Sequence, residues 1–270
     1  MPEITTNGLR FHVVDEGQGM PVVLLHGFPD TSFLWRNQIA ALVSAGHRAI
    51  APDLRGRGKS ERPERVEDYR LTRIVADVAG IMDGLGIERA HIIGHDWGAA
   101  TSWLFASLMP QRVDRLIVAS VPHPSTRGQP SLEELQKGWY RLLFLFPGIE
   151  ATLQQDDWYL MRTILQATDI EEYIQSLSQP GALTAALNWY RANIAPERLL
   201  APPAQLPPIQ AATMGIFSTG DLFLTEAAMQ RSAEFVTGPW RYERIEGVSH
   251  WIPVDAPETF NRLMLDFLRA

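Results

Sequence analysis

The sequence predicts an α/β fold in which a mostly parallel central sheet is flanked by helices and interrupted by a helical insertion. Short runs of Val, Ile and Leu alternate with longer stretches of helical spacing, a pattern typical of parallel strands joined by helices. From about residue 125 to residue 200 the chain is almost entirely helix-like, and strand-like runs then resume. We therefore predict a core domain of residues 1–124 and 208–270, with residues 125–207 inserted as a helical cap.

Six runs have the composition of buried strands: PVVLL at 21–25, HRAIAPD at 47–53, AHIIGHD at 90–96, DRLIVASV at 114–121, MGIFSTGD at 214–221 and RYERIEG at 241–247. Helical spacing is clearest between the second and third runs, at Ile74, Val78, Ile81, Met82 and Leu85. The proline-rich stretch at 201–210 predicts a stiff linker that closes the insertion. A terminal amphipathic helix is predicted from about Pro257.

Composition narrows the class of protein. The chain has 270 residues, of which 46% are hydrophobic, so it can bury a sizeable core. A net charge of -7 argues against nucleic acid or an anionic membrane as a partner. The absence of cysteine excludes disulfides, thiolate nucleophiles and cysteine-based zinc sites. No signal peptide or membrane span is evident, so we expect a soluble, cytoplasmic protein, and the sequence leaves a homodimer open.

GHDWG at residues 94–98 places an aspartate in a turn between a predicted strand and a predicted helix. Small residues on both sides permit a sharp turn of the nucleophile-elbow type. Such a turn would direct Asp96 into a cleft, beside a helix N-terminus that favours an anion. A turn-forming or capping aspartate would fit the segment equally well on its own, so the assignment depends on its context.

The context begins with HGFP at residues 26–29, which ends the strand PVVLL. A loop at this position could direct the backbone N–H of Phe28 at an oxyanion, together with the N–H of Trp97. Pro29 would fix the loop and is compatible with a cis peptide bond.

Two further residues complete a catalytic pattern. Asp221 follows the strand MGIFSTG, and His250 follows the strand RYERIEG. A nucleophile, an acid and a histidine, each placed after a strand, occur in the chain order of the α/β-hydrolase triad. We therefore predict that Asp96, Asp221 and His250 act together.

With these residues, the sequence resembles the α/β-hydrolase superfamily over essentially its whole length, and the resemblance implies the α/β-hydrolase fold with a cap. PDLRGRGKS at 52–60 also resembles a loop of that superfamily. We predict a structural turn there and assign no chemistry to Asp53 or Arg55. The GKS at 58–60 is not a P-loop, because residue 53 is an aspartate where that motif requires glycine.

An aspartate nucleophile favours one kind of chemistry. A carboxylate is suited to attack saturated carbon and form an alkyl-enzyme ester. Water activated by His250, which Asp221 orients, can then attack the ester carbonyl on Asp96. Within the superfamily, epoxide hydrolases and haloalkane dehalogenases work in this way, and neither needs a cofactor or a metal.

The group that leaves during the attack separates these two families. An epoxide oxygen needs a proton donor such as tyrosine, whereas a halide needs only an apolar N–H donor. NWYR at 188–191 resembles the epoxide hydrolase segment whose tyrosine contacts the oxirane oxygen, which implies this role for Tyr190. Trp139-Tyr140 resembles the segment of the second tyrosine, with Tyr159 and Tyr173 as the other candidates in the cap.

Local patterns place both tyrosines on helices. Ser131 and Glu134 form a predicted capping box at the start of a helix that would contain Tyr140. Leu187, Tyr190 and Ile194 have the spacing of one helix face.

The sequence thus predicts an epoxide hydrolase that acts on a small apolar epoxide. Its substrate would contact Phe28, Trp97, Tyr140 and Tyr190. A haloalkane dehalogenase is the alternative, because Trp97 resembles a halide donor of that family. Phe28, however, stands where many dehalogenases have a second halide donor, and no arginine follows Asp96 as in fluoroacetate dehalogenases. A third interpretation is a non-catalytic binding protein of the same fold, since fold does not determine function.

Overall fold

The computed structural model describes residues 3–126, 130–196 and 205–269. Within these ranges eight strands form one sheet in the order β1-β2-β4-β3-β5-β6-β7-β8. The strands are β1 Glu3–Thr6, β2 Leu9–Gly17, β3 Pro21–Leu25, β4 Arg48–Pro52, β5 Ala90–His95, β6 Val113–Ala119, β7 Ala212–Ser218 and β8 Trp240–Ile245. β2 is antiparallel to β1 and β4, and all other neighbouring strands are parallel. The predicted α/β class and mostly parallel sheet are confirmed.

Helices connect the parallel strands and pack on the sheet. They are α1 Arg36–Ser44, α2 Leu71–Gly84, α3 Trp97–Leu108, α4 Leu132–Lys137, α5 Trp139–Leu143, α6 Ile149–Leu165, α7 Ile170–Leu177, α8 Ala182–Asn193, α9 Glu226–Arg231, α10 Ile252–Asp255 and α11 Pro257–Arg269. α2 packs against α3 and β1, whereas α1 packs against α11 and β4. The five helices α4 to α8, which we call the inserted helices, lie between β6 and β7 in the chain.

The centre of the sheet is the most deeply buried part of the molecule. Every residue of β5 is buried, as are residues 22–25 of β3, because strands covered on both faces expose neither set of side chains. β5 lies between β3 and β6, so its carboxyl end opens at the middle of one sheet edge. In open parallel sheets this is the edge at which ligands bind.

Two helix boundaries differ from the sequence prediction. The capping box of Ser131 and Glu134 is present, but its helix ends at Lys137, and Tyr140 lies on the next helix, α5. The intervening Gly138 has almost no helix propensity, which accounts for the break. α8 ends at Asn193, so Ile194 has extended backbone and does not belong to the helical face of Tyr190.

Other parts of the fold had no counterpart in the prediction. The antiparallel pair β1–β2 was not foreseen from the N-terminal segment. α6 is interrupted at residues 155–158, where Asp156, Asp157 and Trp158 have positive φ. Residues 201–204 of the predicted linker lie outside the described residues, as do residues 127–129 and 197–200 of the predicted cap. None of the helices in the described ranges is long and apolar enough to cross a membrane.

Candidate active site

Asp96 occupies the turn between β5 and α3, and its backbone has φ of 52° and ψ of -123°. A positive φ is uncommon for a residue with a side chain and is held only where the surroundings over-determine it. A Cβ atom at Gly98 would overlap the carbonyl oxygen of Leu25, and one at Gly94 would overlap that of Gly98. Glycine is therefore required on both sides of Asp96, as the elbow motif implies.

The HGFP loop holds the carboxylate of Asp96 directly. The backbone N–H of Phe28 donates to Asp96 Oδ1 at 2.7 Å. Gly27 is needed beside it, because a Cβ atom there would overlap the same carboxylate. The Phe28–Pro29 peptide bond is cis.

His26 links the HGFP loop to the loop that follows β4 through a hydrogen bond. Its Nε2 accepts a hydrogen bond from the backbone N–H of Leu54 at 3.0 Å. Burial lowers the pKa of His26 to about 4, so the ring is neutral and can accept at neutral pH. The histidine of the HGFP motif therefore has a positioning role that the sequence alone did not specify.

Asp221 and His250 meet Asp96 at the carboxyl edge of the sheet. His250 Nδ1 lies 2.7 Å from Asp221 Oδ2, and its Nε2 lies 3.6 Å from Asp96 Oδ2. The other oxygen of Asp221 accepts the backbone N–H groups of Phe223 at 2.7 Å and Leu224 at 3.1 Å. Hydrogen bonds thus fix His250 to Asp221, whereas the longer distance to Asp96 is that of an ion pair.

The protonation states of His250 and Asp96 depend on each other. Burial lowers the pKa of His250, but Asp221 and Asp96 outweigh burial and raise the pKa to about 10. Burial raises the pKa of Asp96, but His250 and the Phe28 amide outweigh it and hold the pKa below its usual value. At neutral pH the array therefore favours an imidazolium at His250 beside an ionised Asp96.

A small cavity lies over this array. Trp97, predicted to contact the substrate, and Asp221 are not among the residues that line it. The lining combines five predicted residues with four that the sequence analysis did not name: Phe28, Asp96, Tyr140, Tyr190 and His250, together with Ile164, Leu165, Phe223 and Trp251. Apart from the carboxylate, the imidazole and two phenols, the walls are apolar or aromatic. Such a cavity suits a small apolar ligand with one polar reacting centre.

Both predicted tyrosines line the cavity, and both come from the inserted helices. The ring of Tyr190 lies edge-on to Phe28 and Trp97, with centroid distances of 5.3 and 5.2 Å, and 6.2 Å from the ring of Tyr140. Burial raises the pKa of Tyr190 well above that of a free phenol, and Tyr140 and Asp96 add to the shift. Tyr190 is therefore protonated at neutral pH and able to donate.

The alternative tyrosines lie elsewhere. The side chain of Tyr159 is 67% exposed on the surface. Tyr173 is buried against Trp251, at a ring distance of 5.9 Å, and is not among the residues that line the cavity.

The loop at 52–60 has mainly structural contacts, as predicted. Asp53 accepts backbone N–H groups from Ser32 at 2.8 Å and Lys59 at 3.0 Å. Arg55 forms a bidentate pair with Asp77, with both distances at 2.7 Å.

Asp30, just after the HGFP loop, is a buried carboxyl group that the sequence analysis missed. Its Oδ2 accepts from the indole N–H of Trp251 at 3.3 Å. Burial raises the pKa of Asp30 to about 7, so the group is partly protonated near neutral pH. Its position one residue after the motif is the only sequence signal that could have drawn attention to it.

Comparison with known proteins agrees with this architecture. A family model described as the alpha/beta hydrolase fold matches residues 20–157. The chain belongs to the α/β-hydrolase family. This α/β-hydrolase is 34% identical to epoxide hydrolase A of Mycobacterium tuberculosis, over 98% of its own length and 96% of that protein. It is 32% identical to human epoxide hydrolase 4, over 98% of its own length and 77% of that protein.

Solved structures give the same result for the fold. The α/β-hydrolase superimposes on an epoxide hydrolase of Bacillus megaterium in complex with an inhibitor, with a TM-score of 0.91, 27% identity and full coverage of both chains. A variant of that enzyme carries its product, (R)-3-[1]naphthyloxy-propane-1,2-diol; its TM-score is also 0.91, with 26% identity and full coverage of both chains. The α/β-hydrolase fold expected from the sequence is confirmed.

Proposed function

We propose that the protein is an epoxide hydrolase, which converts an apolar epoxide and water into a vicinal diol through an ester on Asp96. One observation carries the proposal: a carboxylate in the elbow and two phenols from the inserted helices line the same cavity. A carboxylate can attack a ring carbon and form an ester, and the phenols can protonate the oxygen that leaves. Relatives named as epoxide hydrolases match nearly the whole chain.

In the first half-reaction a carboxylate oxygen of Asp96 attacks a ring carbon from the side opposite the C–O bond. The new C–O bond forms as the ring bond breaks, and the electron pair passes to the former ring oxygen. Tyr140 and Tyr190 donate hydrogen bonds to that oxygen, and one of them supplies its proton. Because the cavity is apolar, little solvent competes for these hydrogen bonds.

In the second half-reaction water attacks the ester carbonyl on Asp96. Ester formation removes the negative charge of Asp96, one of the two charges that raise the pKa of His250. His250 can then release its proton, which neutralises the tyrosinate, and accept one from water. Asp221 keeps Nδ1 oriented, and the N–H groups of Phe28 and Trp97 stabilise the tetrahedral oxyanion. Its collapse expels the diol oxygen, which takes the proton from His250, and the carboxylic acid left on Asp96 then returns its proton to the imidazole, which restores the starting charges.

We also propose that the inserted helices are a cap of residues 125–207 that encloses the substrate. They contribute Tyr140, Tyr190, Ile164 and Leu165 to the cavity lining, whereas the loops at the sheet edge contribute Asp96 and His250. Their apolar side chains favour an epoxide with an apolar or aryl substituent. The aryl diol found with the B. megaterium enzyme has this character.

A parallel assay with styrene oxide and a haloalkane tests the proposed function. We expect phenylethanediol from the first substrate and no halide release from the second. The Asp96→Ala protein, assayed beside the wild type, controls for spontaneous hydrolysis. Halide release without diol formation would instead identify a haloalkane dehalogenase.

Replacement of Tyr190 by phenylalanine removes one proton donor and should slow ring opening by roughly 10²-fold, within the usual range for general acid catalysis. The measurement is the rate of ester formation in a single turnover. Tyr159→Phe changes an exposed tyrosine of the same helical segment and should leave the rate unchanged. Equal rates for the Tyr190 variant and the wild type would remove Tyr190 from the reaction.

A further inference from the structure

Arg57 is a buried cation with an unsatisfied hydrogen-bond donor. The residue is only 4% exposed, and its Nη2 atom has no hydrogen-bond partner among the described residues. No carboxylate in the described ranges forms an ion pair with it, whereas Arg55, two residues earlier, is fully paired with Asp77. An unpaired buried charge is costly to stability, so its retention points to a function.

The guanidinium lies next to the reacting groups. Its Cζ atom is 5.1 Å from the ring centroid of Phe28. The same ring lies 5.3 Å from that of Tyr190, and the amide of Phe28 donates to Asp96. The ring of Phe28 therefore lies between the cation and the phenol.

The charge of Arg57 interacts with the negative forms of both Asp96 and Tyr190. Burial lowers the pKa of Arg57 to about 10, and the negative forms of Tyr190 and then Asp96 are the largest opposing influences. The group therefore remains a cation at neutral pH. Its charge also lowers the pKa of Tyr190 against the larger effect of burial.

We propose that Arg57 is a positioning residue that stabilises negative charge as it moves from Asp96 towards the epoxide oxygen and Tyr190 during ring opening. The proposal rests on the proposed function. Asp96 carries the charge before attack, and the oxygen held by Tyr190 carries it afterwards. A cation stacked on Phe28, whose ring contacts Tyr190, favours the second arrangement, and only such differential stabilisation accelerates a chemical step.

The test is a double-mutant cycle between Arg57 and Tyr190. Arg57→Met removes the charge and keeps the length of the side chain, and Arg57→Lys keeps the charge. Lys59→Met, at an exposed position of the same loop, is the matched control for loss of a positive charge. Single-turnover ester formation from styrene oxide is measured for each variant, alone and combined with Tyr190→Phe.

We expect Arg57→Met to slow ester formation roughly 10-fold, less than the loss of a direct oxyanion donor. Arg57→Lys should retain most of the rate, and Lys59→Met all of it. In the Tyr190→Phe background the Arg57→Met change should have an effect below about 2-fold, because the group through which it acts is absent. Dependence on Tyr190 is a result that a purely structural arginine would not give.

An unchanged rate for Arg57→Met, or an equal loss in both backgrounds, would overturn the inference. Thermal melting monitors the fold, and Arg57→Gln replaces the methionine variant if that protein does not fold. The wild type separates the two proposals. If it forms no ester, the proposed function fails and this inference with it; if it forms ester and Arg57→Met does so equally fast, only the role of Arg57 fails.

Discussion

Replacement of Asp96 by alanine should abolish epoxide turnover and leave the fold intact. The variant lacks the carboxylate that forms the ester, and no other carboxylate lines the cavity within the described residues. Loss of a nucleophile from a cooperating array commonly costs about 10⁴-fold or more in kcat. Diol formation measures the activity, and thermal melting measures the fold.

Two further variants serve as controls for this experiment. Asp96→Asn keeps the shape of the side chain and an oxygen for the Phe28 amide, but its amide is a poor nucleophile, so it should be equally inactive. Asp266→Ala removes a carboxylate from the surface and should keep the wild-type rate. Appreciable diol formation by freshly prepared Asp96→Ala would contradict the assignment of the nucleophile.

Replacement of His250 by glutamine should trap the ester. Ester formation needs Asp96 and the phenols, whereas ester hydrolysis also needs a base at the position of His250. We expect hydrolysis to slow by about 10⁴-fold, at the upper end of general base contributions. Intact mass after addition of styrene oxide should rise by the mass of one substrate molecule, and a peptide map should locate it on the segment that contains Asp96.

The same variant has a predictable pH dependence. His250 is the main influence that holds the pKa of Asp96 low, and burial acts in the opposite direction. Without His250 the pKa of Asp96 rises, so a larger fraction is protonated at acidic pH and cannot attack. The ester should therefore form faster at pH 8 than at pH 6. The double variant with Asp96→Ala should gain no mass, and no mass gain in His250→Gln itself at pH 8 would contradict the two-step scheme.

The parts of the site that could be predicted from the sequence are those with local motifs. GHDWG and HGFP each prescribe a backbone shape over a few residues, and Asp221 and His250 follow strands whose order brings their carboxyl ends to one edge. The sheet class follows from the apolar strand runs, which need no knowledge of tertiary contacts.

The remaining features depend on packing between distant segments. Ile164 and Leu165 line the cavity because of where α6 lies, and Phe223 does so because of the loop after β7. No periodic sequence pattern indicates either placement. The break at Gly138 competes with an otherwise helical pattern, so the start of α5 was misassigned. For Arg57 the type of residue is plain in the sequence, but its burial with an unsatisfied hydrogen-bond donor is a property of the fold.

The backbone conformation of residue 96 does not depend on its own side chain. Its conformation is imposed by contacts at Gly94 and Gly98 that involve main-chain atoms and not the side chain of residue 96. Residue 96 can therefore be exchanged without rebuilding the turn that presents it. The shape of the turn and the chemistry of its central residue can be altered separately by mutagenesis.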